Sequence, residues 1–555
     1  MTNPVNTQNF IYNQPIIYST LVSIFLIIPV FMSIFFLLGK YIQNKFSILS
    51  RNAYATIPIG FITFALVTFI TYAPLIIFRL SGPSIGIVYV VAECLKDLSI
   101  LIFLWLNRNM LKFKINWSKL VGVSLGVVFL ISIPIIIFVS KHNGSSPITF
   151  KWTGDIHQMH YGGTQDKYPW LSEKIYNSWF MWNSTIWYVT SINGVFAIWI
   201  LQPILVATIL ITTICSIFRI VLKKIRVLGF IGVSFVSLLV VLLTYSQNGD
   251  STPTIGVVAT TLILILLSWE TLKTPKVRNF IMLGIAGISI LIFNWSALWI
   301  FTSYMSVLIG IYIYKEKPKP TLLILFTIVF IGFILSASIH SYFIESIKLH
   351  GGIASLQKNG TNDIRSIGST IGMILSIILG FILLWIRHKN IEIQIDEFLF
   401  KYRKWWIPVA FLILFLISII LWVTSKDKDA WFNFGVDSGF LGSLSYISYL
   451  SEIMYGFYWL VFGAGAIAII FSFKSKKRLD IDTFLILVGF ITTLFFFSPF
   501  TASLVKIYLA PKAIFIDMQW VSVCPMIIGF LLKGIKLIKK KVADINYKKV
   551  GKTHV

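Results

Sequence analysis

Apolar runs long enough to cross a bilayer recur from one end of this chain to the other. A spanning helix needs about 20 predominantly apolar residues, because hydrocarbon offers no partner to an exposed backbone amide or carbonyl. Such runs leave little else for the chain to be. The sequence has 555 residues, of which 57% are hydrophobic and only 12% charged. Soluble domains carry about 25% charged residues, so a soluble globular fold is excluded. The expected class is an all-α, polytopic helical membrane protein. The formal charge is +26, from 47 Lys and Arg against 21 Asp and Glu. In a soluble chain that excess would point to nucleic acid. Here nucleic acid is not expected, and the question becomes which side of the bilayer holds the charge.

Fifteen stretches read as spans. They are Ile16–Leu38, Ile57–Phe78, Ile85–Leu106, Leu120–Val139, Val195–Phe218, Val227–Leu243, Thr252–Trp269 and Phe280–Phe293. The others are Trp295–Tyr314, Thr321–Ala337, Ile367–Trp385, Ile407–Val423, Ile453–Phe473, Phe484–Phe497 and Ala513–Leu532. The pair on either side of Asn294 needs a tight turn, and a single tilted helix there would change the parity. Loop charge tests it. Every second gap is basic, and together these gaps hold 34 Lys and Arg and 8 Asp and Glu. The intervening gaps are close to neutral, with 12 Lys and Arg and 10 Asp and Glu. The positive-inside rule then puts the N-terminus outside and the C-terminus inside. The basic side faces anionic headgroups of the bilayer, its expected partner, and the expected location is the cell membrane.

This topology sends three long loops outward: 140–183, 338–366 and 424–452. The expected organisation is N-terminal helices over 1–119, a bundle with outer loops over 120–532, and a basic cytoplasmic tail over 533–555. No cleavable leader is expected, since no basic segment precedes the first run. Cys94, Cys215 and Cys524 lie inside apolar runs and read as core residues. The stretch Trp170 to Tyr188, with Trp179, Trp182 and Trp187, reads as a segment lying in the headgroup region.

Three groups of residues carry chemistry. The first is the string Trp152-Thr-Gly-Asp155-Ile-His157-Gln-Met-His160-Tyr-Gly-Gly-Thr-Gln-Asp166 in the first outer loop. A carboxylate there can deprotonate an acceptor hydroxyl, with His as second base or donor. Asp155, His157 and His160 also have a spacing that a divalent metal can use, although it is no recognised signature. The bland alternative is a solvated polar loop. The second group is scattered over the outer face. Asp250 closes an Asn-Gly-Asp turn, and Asp437 follows aromatic residues. Arg365, Lys506 and Lys512 can meet a phosphate at headgroup level or serve as ordinary interfacial cations. The third is Glu93, Lys96 and Asp97, near the middle of Ile85–Leu106. Spacings of three and four put them on one helical face. Charges at that depth read as a proton or ion relay, or as a cluster that neutralises itself.

Taken together, the outer acidic motif Gly154-Asp155-Ile-His157, the aromatic segment after it and the short-looped helices that follow resemble the GT-C glycosyltransferases. Thr244-Tyr-Ser-Gln-Asn-Gly-Asp250, the hairpin Phe293-Asn-Trp-Ser-Ala-Leu-Trp299 and Ser498-Pro-Phe500 add to the likeness, which extends from Leu120 to Leu532. It implies transfer of a sugar from a polyprenyl-phosphate-linked donor at the outer face, with Asp155 as base or metal-holding acid. The last outer segment lacks an arginine, so Lys506 or Lys512 would hold the donor phosphate. Four spans precede the acidic loop, where that superfamily usually has one. Two other readings stay open. One is a proton- or ion-coupled carrier built on Glu93, Lys96 and Asp97. The other is a nonenzymatic assembly protein of the envelope.

Overall fold

The computed structural model describes residues 14–77, 85–111, 178–222, 232–237, 252–274, 276–293, 391–402, 480–497 and 512–552, with isolated positions between 378 and 467. The described residues are all helical, with no strand among them. Ten helices frame the account: α1 (Ile16–Phe46), α2 (Thr56–Ile77), α3 (Ile85–Leu106), α4 (Ser178–Thr190), α5 (Gln202–Val221), α6 (Thr252–Lys273), α7 (Val277–Ser289), α8 (Glu392–Lys401), α9 (Ile481–Phe497) and α10 (Lys512–Lys552).

Among the described residues, five helical segments are long and apolar enough to cross a membrane: Ile16–Phe46, Ala53–Tyr72, Gln202–Val221, Ile255–Lys273 and Val521–Val542. Helix α3 matches them in length at 22 residues but carries three charges in its interior. The chain is therefore a helical membrane protein by length and composition. The larger number of expected spans extends into residues outside those described.

Helices α1 and α2 form a hairpin whose backbones touch. A methyl group added at Gly39 would overlap the Thr56 carbonyl, and one added at Gly60 would overlap the Phe35 carbonyl. Small residues at a crossing let two membrane helices approach closely and gain dispersion contacts where no hydrophobic driving force acts between them. The connecting turn is organised by Gln43. Its amide donates to the Leu49 and Asn52 carbonyls, and its oxygen accepts from Thr56 Oγ1 at 2.8 Å. Asn52 then donates to the Ser216 carbonyl and ties the turn to the end of α5. This is the end of the bundle that carries Lys45 and Arg51.

Helix α4 corrects an expectation. Its Trp179, Trp182 and Trp187 are all fully or almost fully buried, so they pack inside the bundle rather than among headgroups. The helix starts deep. Trp179 meets Phe61 and Trp182 meets Phe31 and Phe64, all well inside α1 and α2. Its other end, Thr190, accepts a hydrogen bond from Tyr18 near the start of α1. Thirteen residues rise about 20 Å, so α4 starts inside the bundle and ends at the face opposite Arg51. The aromatic count in the sequence is the same for a headgroup belt and for a buried arm. Only the partners on α1 and α2 decide between them.

After α4 the chain reverses at Ser191, which has a positive φ of 53°. Asn193 caps the next turn by accepting from the Phe196 amide. A π-helical turn, Ala197–Leu201, precedes Pro203, and a second one, Ser23–Ile27, precedes Pro29. A proline removes one helical donor and clashes with the carbonyl four residues earlier, and a π turn relieves both.

Helix α6 is buried along almost its whole length, and its hydroxyls return to their own helix. Thr260, Thr261, Ser268 and Thr271 each donate to the carbonyl four residues earlier. This is how hydroxyls satisfy themselves away from water. Helix α7 continues as a 3-10 turn, Ile290–Ile292, and the tight turn expected at Asn294 lies outside the described residues. Helices α9 and α10 pack against each other at Gly489 and Gly529, where an added methyl group would crowd Ser522 and Asp482. Lys536 pairs with Asp482 at 2.7 Å and Asp480 at 3.3 Å. Helix α10 runs to Lys552, so the basic stretch after residue 533 is helical and continuous with the last apolar helix. Cys94 is exposed, against the core position expected of it, whereas Cys215 and Cys524 are buried.

The Gly39–Gly60 crossing is testable. Gly60→Leu forces the backbones of α1 and α2 apart and should cost at least the 1–3 kcal/mol typical of overpacking. Thermal unfolding in detergent micelles checks this, with Gly284→Leu as the control, since nothing lies within 4 Å of a methyl group there. Equal losses at the two positions would remove the argument for backbone contact.

Candidate functional site: a buried charge cluster between three helices

Glu93, Lys96 and Asp97 stand on one face of α3, as their spacing predicts. Glu93 and Lys96 are each 4% exposed. Lys96 Nζ donates to Glu93 Oε1 at 2.8 Å, and its distance to Asp97 Oδ1 is 3.5 Å. Two further donors converge on Glu93. The Tyr72 hydroxyl of α2 donates to Oε2 at 2.9 Å, and the Trp182 indole of α4 donates to Oε1 at 2.8 Å. Thr185, one turn along α4 from Trp182, hydrogen-bonds the same Tyr72 hydroxyl. The carboxylate thus holds three helices together through three donors.

Lys96 is equally committed. It donates to Thr68 Oγ1 of α2 at 3.3 Å. Its ammonium also lies 4.3 Å from the centre of the Phe64 ring and 5.6 Å from that of Trp182. Both rings are apolar bodies that offer a negative face to a cation. Tyr89 stacks on Tyr72 at 5.5 Å and closes the cluster toward the start of α3. A lone charge at the centre of a membrane helix costs about 2.5–3.5 kcal/mol on insertion scales. The pair here removes most of that cost by mutual neutralisation and complete hydrogen bonding.

Asp97 differs from its neighbours. Its side chain is 28% exposed, and its Oδ1 is buried without a hydrogen-bond partner. It stands where the buried stripe of α3, Glu93, Lys96, Ile100 and Leu104, meets the uncovered stripe that includes Cys94, Leu98 and Leu101.

Sequence reasoning found the α3 residues but not Tyr72, Thr68, Phe64 or Trp182. Thr68 and Tyr72 are four apart in a helix otherwise almost wholly apolar, a polar stripe that could have marked α2 as the partner. Trp182 is 89 residues from Glu93, and no local pattern announces that pairing.

The remaining candidates are placed differently. Asp155, His157, His160, Asp166, Asp250, Arg365, Asp437 and Lys506 lie outside the described residues. Lys512 is the first residue of α10. The metal spacing of Asp155, His157 and His160 falls in the same undescribed stretch. Among the described residues no group of three or more His, Cys, Asp or Glu is placed to hold a metal ion. No family model matches the chain, and no curated protein and no solved structure is similar enough to count as a relative.

Removing one member of the buried pair isolates the other. Lys96→Met should cost about 3–5 kcal/mol, the range for an uncompensated buried charge. Adding Glu93→Gln to that variant should recover much of the loss. Unfolding in micelles of the two single variants and the double variant gives the coupling directly. Additive losses would mean that the two side chains do not form a pair.

Proposed function

We propose that this protein is a membrane-embedded glycosyltransferase of GT-C type. In this reading it moves a sugar from a polyprenyl-phosphate-linked donor to an acceptor hydroxyl at the outer face of the cell membrane. Asp155 is the general base, or the acid that holds a divalent metal, and His157 and His160 assist it. Lys506, Lys512 or Arg365 meets the donor phosphate. The chain crosses the bilayer about fifteen times, with its basic gaps in the cytoplasm.

One observation carries the reading. The segment that follows the acidic loop enters the bundle as α4 and is held there by buried Trp179, Trp182 and Trp187 and by the Trp182 hydrogen bond to Glu93. A general base acts only when its position is fixed to a fraction of an ångström, and a site borne on a loop needs rigid elements beside it. A merely solvated loop gains nothing from an arm built into the helix core. The carrier reading asks for Glu93 and Asp97 to exchange with water. Glu93 is sealed and holds three donors, which weighs against its use as a transport site.

Asp155→Asn keeps the size of the side chain and removes the base. In proteoliposomes supplied with a polyprenyl-phosphate-linked sugar, transfer should fall about 10²- to 10⁴-fold, the usual contribution of a positioned base. Unchanged transfer would remove Asp155 from the mechanism. Absence of transfer by the wild-type protein with any such donor would remove the glycosyltransferase reading.

A further inference from the structure

The charge count of the cluster on α3 does not close. Glu93 and Lys96 cancel, and the geometry shows that they belong to each other: the ammonium is 2.8 Å from Glu93 Oε1, donates also to Thr68 and rests on Phe64. Asp97 is the surplus negative charge. Its closest cation, Lys96, stands 3.5 Å from Oδ1 and is already engaged at 2.8 Å by Glu93, whose carboxyl adds like charge beside Asp97. Asp97 is the thirteenth residue of a 22-residue helix, so it lies about halfway along its length.

The other charged and titratable groups around Asp97 offer no second countercharge. On its own helix there are Tyr89, Cys94, Glu93 and Lys96. Helix α2 adds Tyr72, whose hydroxyl is turned to Glu93. Helix α4 has no charged residue. Helix α1 brings Lys40, Tyr41 and Lys45, and Tyr41 packs against Phe103, more than a turn further along α3. An ionised carboxylate that shares its one cation with Glu93, beside an uncovered apolar face, loses hydration that a 3.5 Å ion pair returns only in part. A carboxylate in that position is neutralised by binding a cation, of which a proton is the smallest.

We propose that Asp97 is a proton-binding site at mid-helix, with the sealed Glu93–Lys96 pair as its fixed base. The partial exposure of Asp97 lets a proton enter and leave from the uncovered side of α3. Glu93, 4% exposed and shut behind Tyr72 and Trp182, is committed to Lys96. This proposal is independent of the glycosyltransferase reading, since it uses no residue of the outer loops.

Dicyclohexylcarbodiimide tests it on the wild-type protein. The reagent partitions into hydrocarbon and adds the O–H of a protonated carboxylic acid, whereas an ionised carboxylate in the same place does not react. The protein in liposomes is treated over a range of pH and the adduct is mapped by mass spectrometry of peptides. The expected result is an adduct on Asp97 and none on Glu93. Its rate should fall about tenfold per pH unit once the carboxyl is mostly ionised. Asp97→Asn should abolish the adduct. Because the site is mapped on the unmodified chain, the test survives a variant that fails to fold. No adduct on Asp97, a rate that does not change with pH, or modification of Glu93 instead would each overturn the proposal. So would protection of Asp97 by sodium at fixed pH, which would make the ligand a metal cation.

Discussion

Glu93 is the point on which the described bundle turns. One carboxylate oxygen accepts from Lys96 and Trp182, the other from Tyr72, and these donors stand on α3, α4 and α2. Hydrogen bonds to an ionised acceptor are stronger than neutral ones, and a low dielectric strengthens them further. The same setting makes each of them costly to lose. A half-satisfied network would be worse than an apolar core, so the three helices are fixed in register by the need to keep every donor in place. The aromatic layer of Phe31, Phe61, Phe64, Trp179 and Trp182 fills the space beneath this polar hub. Its edge-to-face contacts suit rings that carry negative faces and positive rims.

The close crossing of α1 and α2 serves the same geometry. Glycine at residues 39 and 60 brings the hairpin into backbone contact, and that contact sets the depth at which Phe64, Thr68 and Tyr72 meet α3. Gln43 and Asn52 then fasten the hairpin turn to α5 with hydrogen bonds to backbone carbonyls. A polar side chain that bonds to backbone fixes position without adding charge. This suits the end of a bundle where Lys45 and Arg51 already supply the positive charge.

Much of the fold was legible because membrane helices obey composition. Expected starts at Ile57, Ile85 and Thr252 lie within a residue of the first helical residues observed there. The hydrocarbon penalty on polar residues marks such boundaries sharply. What composition could not supply was direction and partner. The tryptophans of α4 are equally compatible with an interfacial belt and with a buried arm, and only Phe31, Phe61 and Phe64 decide. Lengths were also underestimated. Helix α1 passes its expected end at Leu38 and reaches Phe46, since Lys40 and Lys45 stand in the last turns, where a cation favours the helix dipole and its stem still packs. Of the candidate site, the one-face cluster on α3 was readable from i, i+3 and i+4 spacing. Its partners on α2 and α4 were not, because they come together only through packing. The acidic loop was readable as chemistry, and its placement lies outside the described residues.

Charge placement along α1, α2, α4, α5, α6 and α9 follows one rule, which α3 breaks. Lys40 and Lys45 stand in the last turns of α1, Arg219 in the last turn of α5, Lys273 in that of α6, and Asp482 in the first turn of α9. Helices α2 and α4 have no charge at all. Such placement lets heads reach water while stems cover apolar surface. Helix α3 breaks the rule with three charges in five consecutive residues at its middle. A structural latch requires only two of them, because Glu93 and Lys96 already satisfy each other and draw in Tyr72 and Trp182. Asp97 stands 3.5 Å from a Lys96 that Glu93 already neutralises, and it leaves one negative charge over. A residue that carries a surplus charge in the costliest position along the helix is explained by what it binds rather than by what it holds together.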